Sequence, residues 1–123
     1  NGLVENVRIQ GEKLGKWLKE LEDIPIVGQV RGKGFMWGFE LVADRDTRRP
    51  FPKAKGASAL VTQECMKRGL VIYPGGGMAD GIDGDNFMIA PPLISSGEIV
   101  EEIVSILGEG LKAASTKLTG SGV

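Results

Sequence analysis

Ile26-Val27-Gly28-Gln29-Val30-Arg31-Gly32-Lys33-Gly34-Phe35-Met36-Trp37-Gly38-Phe39-Glu40-Leu41-Val42 is the stretch that decides the fold. Phe35, Trp37, Phe39 and Leu41 alternate with Met36, Gly38, Glu40 and Val42, the period of a strand with one strongly apolar face. Arg31-Gly32-Lys33-Gly34 offers a tight reversal with Gly32 at the positive-φ position, which gives a hairpin over residues 27–42. A single long strand with a glycine kink is the competing reading. Alternating aromatics of this kind are core residues before they are a binding stripe, and Arg31, between Val30 and Gly32, is expected to be partly buried and ion-paired.

Upstream, Leu3, Val7, Leu14, Leu18 and Leu21 fall on one helical face, and the spacing predicts a helix over residues 2–22, closed by Pro25. Gly11 and Gly15 each weaken it by roughly 1 kcal/mol relative to alanine, so this helix depends on tertiary packing. Downstream, residues 44–53 carry Pro50, Pro52 and many charges and read as a loop. Ala57, Leu60, Val61 and Cys65 share a helical face that stops at Lys67-Arg68-Gly69. Residues 70–73 and 87–90 read as short strands, the second halted by Pro91 and Pro92. Ser95 with Glu98 forms a capping box for a last helix whose buried stripe is Ile99, Ile103, Leu107, Leu111 and Ala114. The small, polar residues 116–123 are expected to form a flexible tail. Helix, two strands, helix, two strands, helix is an α+β order: two layers, a three- or four-stranded mostly antiparallel sheet, and helices packed on one face.

Composition narrows the chemistry. The chain has 123 residues, 41% hydrophobic and 25% charged, with a formal charge of −1. That is one domain's worth of core, with no basic field for nucleic acid or an anionic membrane. Arg45, Arg48 and Arg49 are interleaved with Asp44 and Asp46 and read as a solvated loop. One cysteine, Cys65, excludes an internal disulfide, and its place on an apolar helix face makes it an inert small hydrophobe. There is no histidine, which removes the commonest metal ligand and general base. No apolar run approaches the ~20 residues of a membrane-spanning helix, and no signal peptide is visible, so a cytoplasmic location is the expectation. The start at Asn1 rather than methionine points to sequence removed upstream.

The densest feature is Tyr73-Pro74-Gly75-Gly76-Gly77-Met78-Ala79-Asp80-Gly81-Ile82-Asp83-Gly84-Asp85. Such a loop lets backbone approach a ligand or partner closely. A phosphate cradle would open into a helix N-terminus, often with a lysine, whereas this loop opens into a strand with aspartates. Asp80, Asp83 and Asp85 miss the spacing of a calcium loop. A connector between two strands and a ligand-facing loop both stay open on composition. Lys55 is a conceivable Schiff-base nucleophile, but nothing near it in sequence would lower its pKa, and a solvated lysine is the plainer reading.

Three segments together carry a resemblance. Residues 30–41 look like the VRGxGLMxGxEL signature of class III aminotransferases. Met88-Ile89-Ala90-Pro91-Pro92-Leu93-Ile94 is similar to that family's xxxAPPLxI segment, followed by a final helix. Arg68-Gly69-Leu70 to Gly76 resembles the strand and loop before it. The three stand in the family's order and cover nearly the whole of residues 27–114. The resemblance implies the C-terminal small domain (residues 1–115) of a fold type I enzyme that moves an amino group from an amine or amino acid to a 2-oxo acid such as pyruvate or 2-oxoglutarate. It also implies pyridoxal 5'-phosphate in the full-length parent, a large cofactor-binding domain in the same chain, and a homodimer.

The family's catalytic lysine lies in that large domain, so no catalytic residue and no metal ligand is assigned here, and the isolated chain is expected to be inactive and to hold no cofactor. Lys55-Gly56 does not match the lysine motif, because it follows the VRGxG strand rather than preceding it. Many relatives place a carboxylate-pairing arginine near the strand after Arg-Gly-Leu, and here Tyr73 stands closest. Tyr73, Gly75, Gly76, Gly77 and Met78 are therefore the candidate substrate-binding residues. The rival is a stand-alone small-molecule-binding or regulatory α+β module, which would also lack catalytic groups but would not produce three ordered matches.

Overall fold

The computed structural model describes residues 2–52, 55–76, 85–92 and 95–119. Helix α1, Gly2–Glu20, runs into a 3₁₀ turn at Leu21–Asp23 and is followed by β1, Val27–Lys33, and β2, Met36–Leu41. Helix α2, Ala57–Lys67, leads to β3, Tyr73–Gly76, then β4, Asp85–Ile89, and α3, Gly97–Thr119. The four strands form one sheet in the order β1-β2-β4-β3, antiparallel throughout.

The hairpin reading of residues 27–42 holds, with its turn moved. Lys33 pairs with Met36, so Gly34 and Phe35 form a two-residue loop, and Gly34 takes the left-handed conformation at φ +59°. That is the place glycine occupies in tight hairpins. Gly32, expected at the turn, is a strand residue; a Cβ there would lie 2.2 Å from the Met36 carbonyl oxygen.

Alternation separates the two faces of the sheet. Val30, Trp37, Phe39, Leu41, Phe87 and Ile89 are buried under the helices. Phe39 and Phe87 face each other on β2 and β4, their rings stacked with centroids 4.7 Å apart. The opposite face carries Arg31 and Lys33 of β1, Met36, Gly38 and Glu40 of β2, Asn86 and Met88 of β4, and Tyr73 and Gly75 of β3. No helix covers it.

The weak glycines of α1 have a packing role. A Cβ at Gly11 would sit 2.8 Å from the Gly34 carbonyl oxygen, and one at Gly15 would sit 2.5 Å from the Trp37 ring. The helix thus lies directly against the hairpin tip, where the Trp37 indole N–H donates to the Gly34 carbonyl at 2.7 Å. Similarly, α3 meets α2 at Gly110, whose missing Cβ leaves room for the Cys65 sulfur 2.7 Å from that position.

Several expected details shift. The α3 stripe is Val100, Leu107, Leu111, Ala114 and Leu118, and Ile99 is exposed. Leu3 of α1 is exposed as well. The capping residue is Ser96, whose hydroxyl accepts from the Ile99 N–H at 3.3 Å; Ser95 is buried instead. With Ser96 as cap, Glu98 falls at the second helical position, one short of a capping box. Helix α3 also continues through Thr119, past the expected start of a tail at residue 116, because Leu118 is buried and Thr119 hydrogen-bonds back to the Ser115 carbonyl. Residues 120–123 lie outside the described part. Strand β3 starts at Tyr73 rather than Leu70, and β4 starts at Asp85 rather than Phe87.

Candidate functional site

Strand β3 brings the described candidates to the sheet edge. Tyr73 pairs with Met88, Gly75 with Asn86 and Gly76 with Asp85, so residues 77–84 join two paired strand ends. Gly77 and Met78 fall outside the described residues. The Tyr73 side chain is 59% exposed and lies on the open face. The Asn86 side chain lies across Gly75, its Oδ1 2.4 Å from where a Cβ would be. Asn86 is thus part of this edge, although its sequence context gives no signal for it.

Asp85, at the far end of the loop, is buried, and its Oδ1 accepts the Ser58 N–H at 3.0 Å. Helix α2 has Gly56 as its N-cap, with no side chain to satisfy the first turn. A carboxylate from β4 does so instead and complements the helix dipole. Asp85 is thereby committed to a structural bond. Among the described residues, no group of three or more His, Cys, Asp or Glu could hold a metal ion.

One row across the open face runs Arg31, Gly38, Met88, Tyr73 from β1 to β3, and a second runs Gln29, Glu40, Asn86, Gly75. Arg31 is exposed, and no ion pair joins it among the described residues, contrary to the buried, paired arginine expected. The expected burial failed because Arg31 falls on the uncovered side of β1. Arg48 reaches the second row from the 44–49 loop: its Nη2 lies 3.3 Å from Gln29 Oε1 and 3.8 Å from Glu40 Oε1. Its backbone is left-handed, φ +59°, a conformation costing an ordinary residue roughly 1 kcal/mol. No pattern in the sequence separates Arg48 from its neighbours Arg45 and Arg49, because its contacts depend on that loop turning back on β1 and β2.

A groove of about 600 Å³ lies on the other side, between α1 and the hairpin tip, lined by Val7, Gly11, Gly15, Lys16, Lys33 and Trp37 among others. Trp37 and Tyr73 lie on opposite faces of the sheet, and the groove's lining pairs no nucleophile with a base. Lys55 is exposed just ahead of α2, with no pocket around it among the described residues. Cys65 is fully buried, and burial pushes its thiol up to about 11. Tyr73 and Asn86 are therefore groups that could touch a ligand, without a complete set of reacting groups beside them.

No protein-family model matches the chain. It is 42% identical over 116 residues to an aminotransferase of Gibberella zeae, an alignment covering 93% of this chain and 23% of that protein. It is 35% identical over 116 residues to a probable mitochondrial gamma-aminobutyrate transaminase of Oryza sativa, covering 94% and 21%. Its fold superposes on a PLP-bound aminotransferase mutant from Vibrio fluvialis with a TM-score of 0.85 at 28% identity, covering 95% of this chain and 24% of that one. The chain thus spans about a quarter of the length of the proteins it resembles.

Proposed function

The chain is a segment of the class III aminotransferase family, corresponding to its C-terminal region, and we propose that it forms the substrate-side domain of a transaminase. The alignment with an aminotransferase across 93% of the chain at 42% identity is the observation that carries this reading. The parent enzyme moves an amino group from an amine or amino acid to a 2-oxo acid and works as a homodimer. Relatives named as gamma-aminobutyrate transaminases favour a donor with a terminal amino group.

The described residues of this chain do not fit pyridoxal phosphate. Lys55 is exposed, and no buried acid stands beside a lysine-lined pocket to pair with a pyridine nitrogen. The cofactor, which supplies the electron sink when bound, therefore belongs to the remainder of the parent. Within this domain Tyr73 stands exposed at the sheet edge, and the Asn86 side chain lies across Gly75 beside it. Both shape the approach of substrate.

Kinetics of the full-length enzyme test the site. Tyr73→Phe and Tyr73→Arg should change KM for the amine or the 2-oxo acid, and unchanged constants in both would remove Tyr73 from the pocket. Cofactor binding tests the division of labour. The 123-residue chain should keep no visible absorbance band after incubation with pyridoxal phosphate and dialysis. A retained band abolished by Lys55→Ala would overturn the assignment of the cofactor to the rest of the parent.

A further inference from the structure

The groove between α1 and the hairpin tip takes no part in the sheet-edge site. Its lining includes four glycines, Gly11, Gly15, Gly32 and Gly34, so at these positions no side chain divides it. It follows α1 from Val4 to Lys19, about 22 Å at a rise of 1.5 Å per residue. A volume of about 600 Å³ spread over that length leaves a section of roughly 27 Å². That is long and narrow, suited to one extended chain rather than to a globular ligand.

The two ends of the groove differ. Val4, 66% exposed, and Val7 line the first end. Farther along lies the Trp37 indole, held by its bond to the Gly34 carbonyl with its ring against Gly15. Between them Arg8 pairs with Glu12 at 3.8 Å and with Glu5. The far end carries Lys16 and Lys19, both exposed, and among the described residues no ion pair joins either. Lys19 lies in the last turn of α1, where a cation suits the helix dipole; Lys16 stands outside that turn. The lining as a whole sets four cations, Arg8, Lys16, Lys19 and Lys33, against Glu12 alone.

We propose that this groove binds a linear amphipathic monocarboxylate, a long-chain fatty acid in its free, anionic form. The hydrocarbon lies over Val4, Val7 and the edge of Trp37, and the apolar surface taken from water supplies the affinity. The carboxylate sits at the Lys16–Lys19 end, where the lysine stems lie along the tail and their ammonium groups stay in water. A second carboxylate would meet valines at the other end, which makes the ligand a monoanion. The groove lies on the helix side of the sheet, opposite Tyr73, so its occupancy is independent of the proposed transamination.

Quenching of Trp37 by stearate brominated at mid-chain, below its micellar concentration, tests the assignment. The chain has two tryptophans, so Trp17→Phe leaves Trp37 as the reporter, and quenching should saturate at one fatty acid per chain. The methyl ester of the same acid should bind roughly three- to tenfold more weakly. Lys16→Gln combined with Lys19→Gln should weaken the acid by that factor and leave the ester unchanged. Lys13→Gln, which alters α1 on its α3 side, should change neither. Val4→Asp, an acid in the first turn that the helix dipole favours, should weaken acid and ester alike. Photolabelling of the unsubstituted chain and of the full-length parent with a diazirine-bearing stearate gives a second reading, independent of how Trp17→Phe folds. Adducts should fall on residues 4–19 and 32–37. Absence of quenching, equal affinity for acid and ester, indifference to the lysine pair, or adducts scattered over the surface would overturn the proposal. Saturation only above the micellar concentration would mean detergent-like adsorption, and equal quenching by vesicles of brominated phosphatidylglycerol would assign the groove to a lipid surface; either result overturns it. Adducts that form in the 123-residue chain and vanish from the parent would show the groove filled by the rest of that protein, with the same consequence. Because no readout depends on turnover, a fatty acid bound by an inactive parent would refute the proposed activity alone, and an active parent without binding the groove alone.

Discussion

Glu64 holds cations from two helices. Its carboxylate is buried on α2, with Lys117 of α3 at 2.6 Å, Arg68 at 3.0 Å and Lys67 at 3.2 Å. Hydrogen bonds from Lys117, then Arg68, then Lys67 hold its pKa down to about 2 against an ordinary 4.5. A depressed carboxylate pKa stabilises the fold in full above the unfolded value and loses that contribution as pH falls through the folded one. Stability should therefore decline between about pH 4.5 and 2, and Glu64→Gln should lower Tm at pH 7 by more than it does near pH 2. A Tm difference constant across that range would show that the charge is not what matters. The hub was invisible in sequence, because Lys117 is 53 positions away from its partner and sits where a loose tail was expected.

The closest approaches between elements occur where a side chain is missing. Gly110→Ala gains helix propensity of roughly 1 kcal/mol. Against that, the new methyl lands 2.7 Å from the Cys65 sulfur, and overpacking of this kind costs about 1–3 kcal/mol. The clash should win, giving a net loss of up to about 2 kcal/mol in urea unfolding. Cys65→Ala in the same chain should recover part of it, and a double-mutant cycle with no coupling would contradict the contact. The elements themselves were largely legible, since period-two alternation over residues 35–41 and leucines at helical spacing are strong signals. Strand β3 was not, since Tyr73-Pro74-Gly75-Gly76 has little strand propensity and is held extended by β4. The candidate site was legible only as far as Tyr73, Gly75 and Gly76, since Asn86, Met88 and Gly38 join them through strand order.

At the scale of the whole molecule, Cys65 reports opening of the core. Raising its pKa from 9.0 to about 11 cuts the thiolate fraction at neutral pH about a hundredfold, and full burial blocks the reagent besides. Native protein should scarcely react with a disulfide reagent at pH 8, and labelling should follow the urea transition. Rapid native labelling would mean that α2 and α3 separate without global unfolding. The sheet margins have a consequence of another kind. On β1 the Val30 N–H donates outward to Glu22 at 2.9 Å, and on β3 Pro74 has no N–H to offer. Neither margin presents an unbroken row of donors to a neighbouring chain, which closes the usual route to fibrils. Glu22→Ala combined with Pro74→Thr should shorten the lag of thioflavin-positive assembly by severalfold, and an unchanged lag would show that these two residues do not guard the margins. The chain should therefore tolerate concentration without forming fibres, and any clumping of the isolated domain should be amorphous and reversed by dilution.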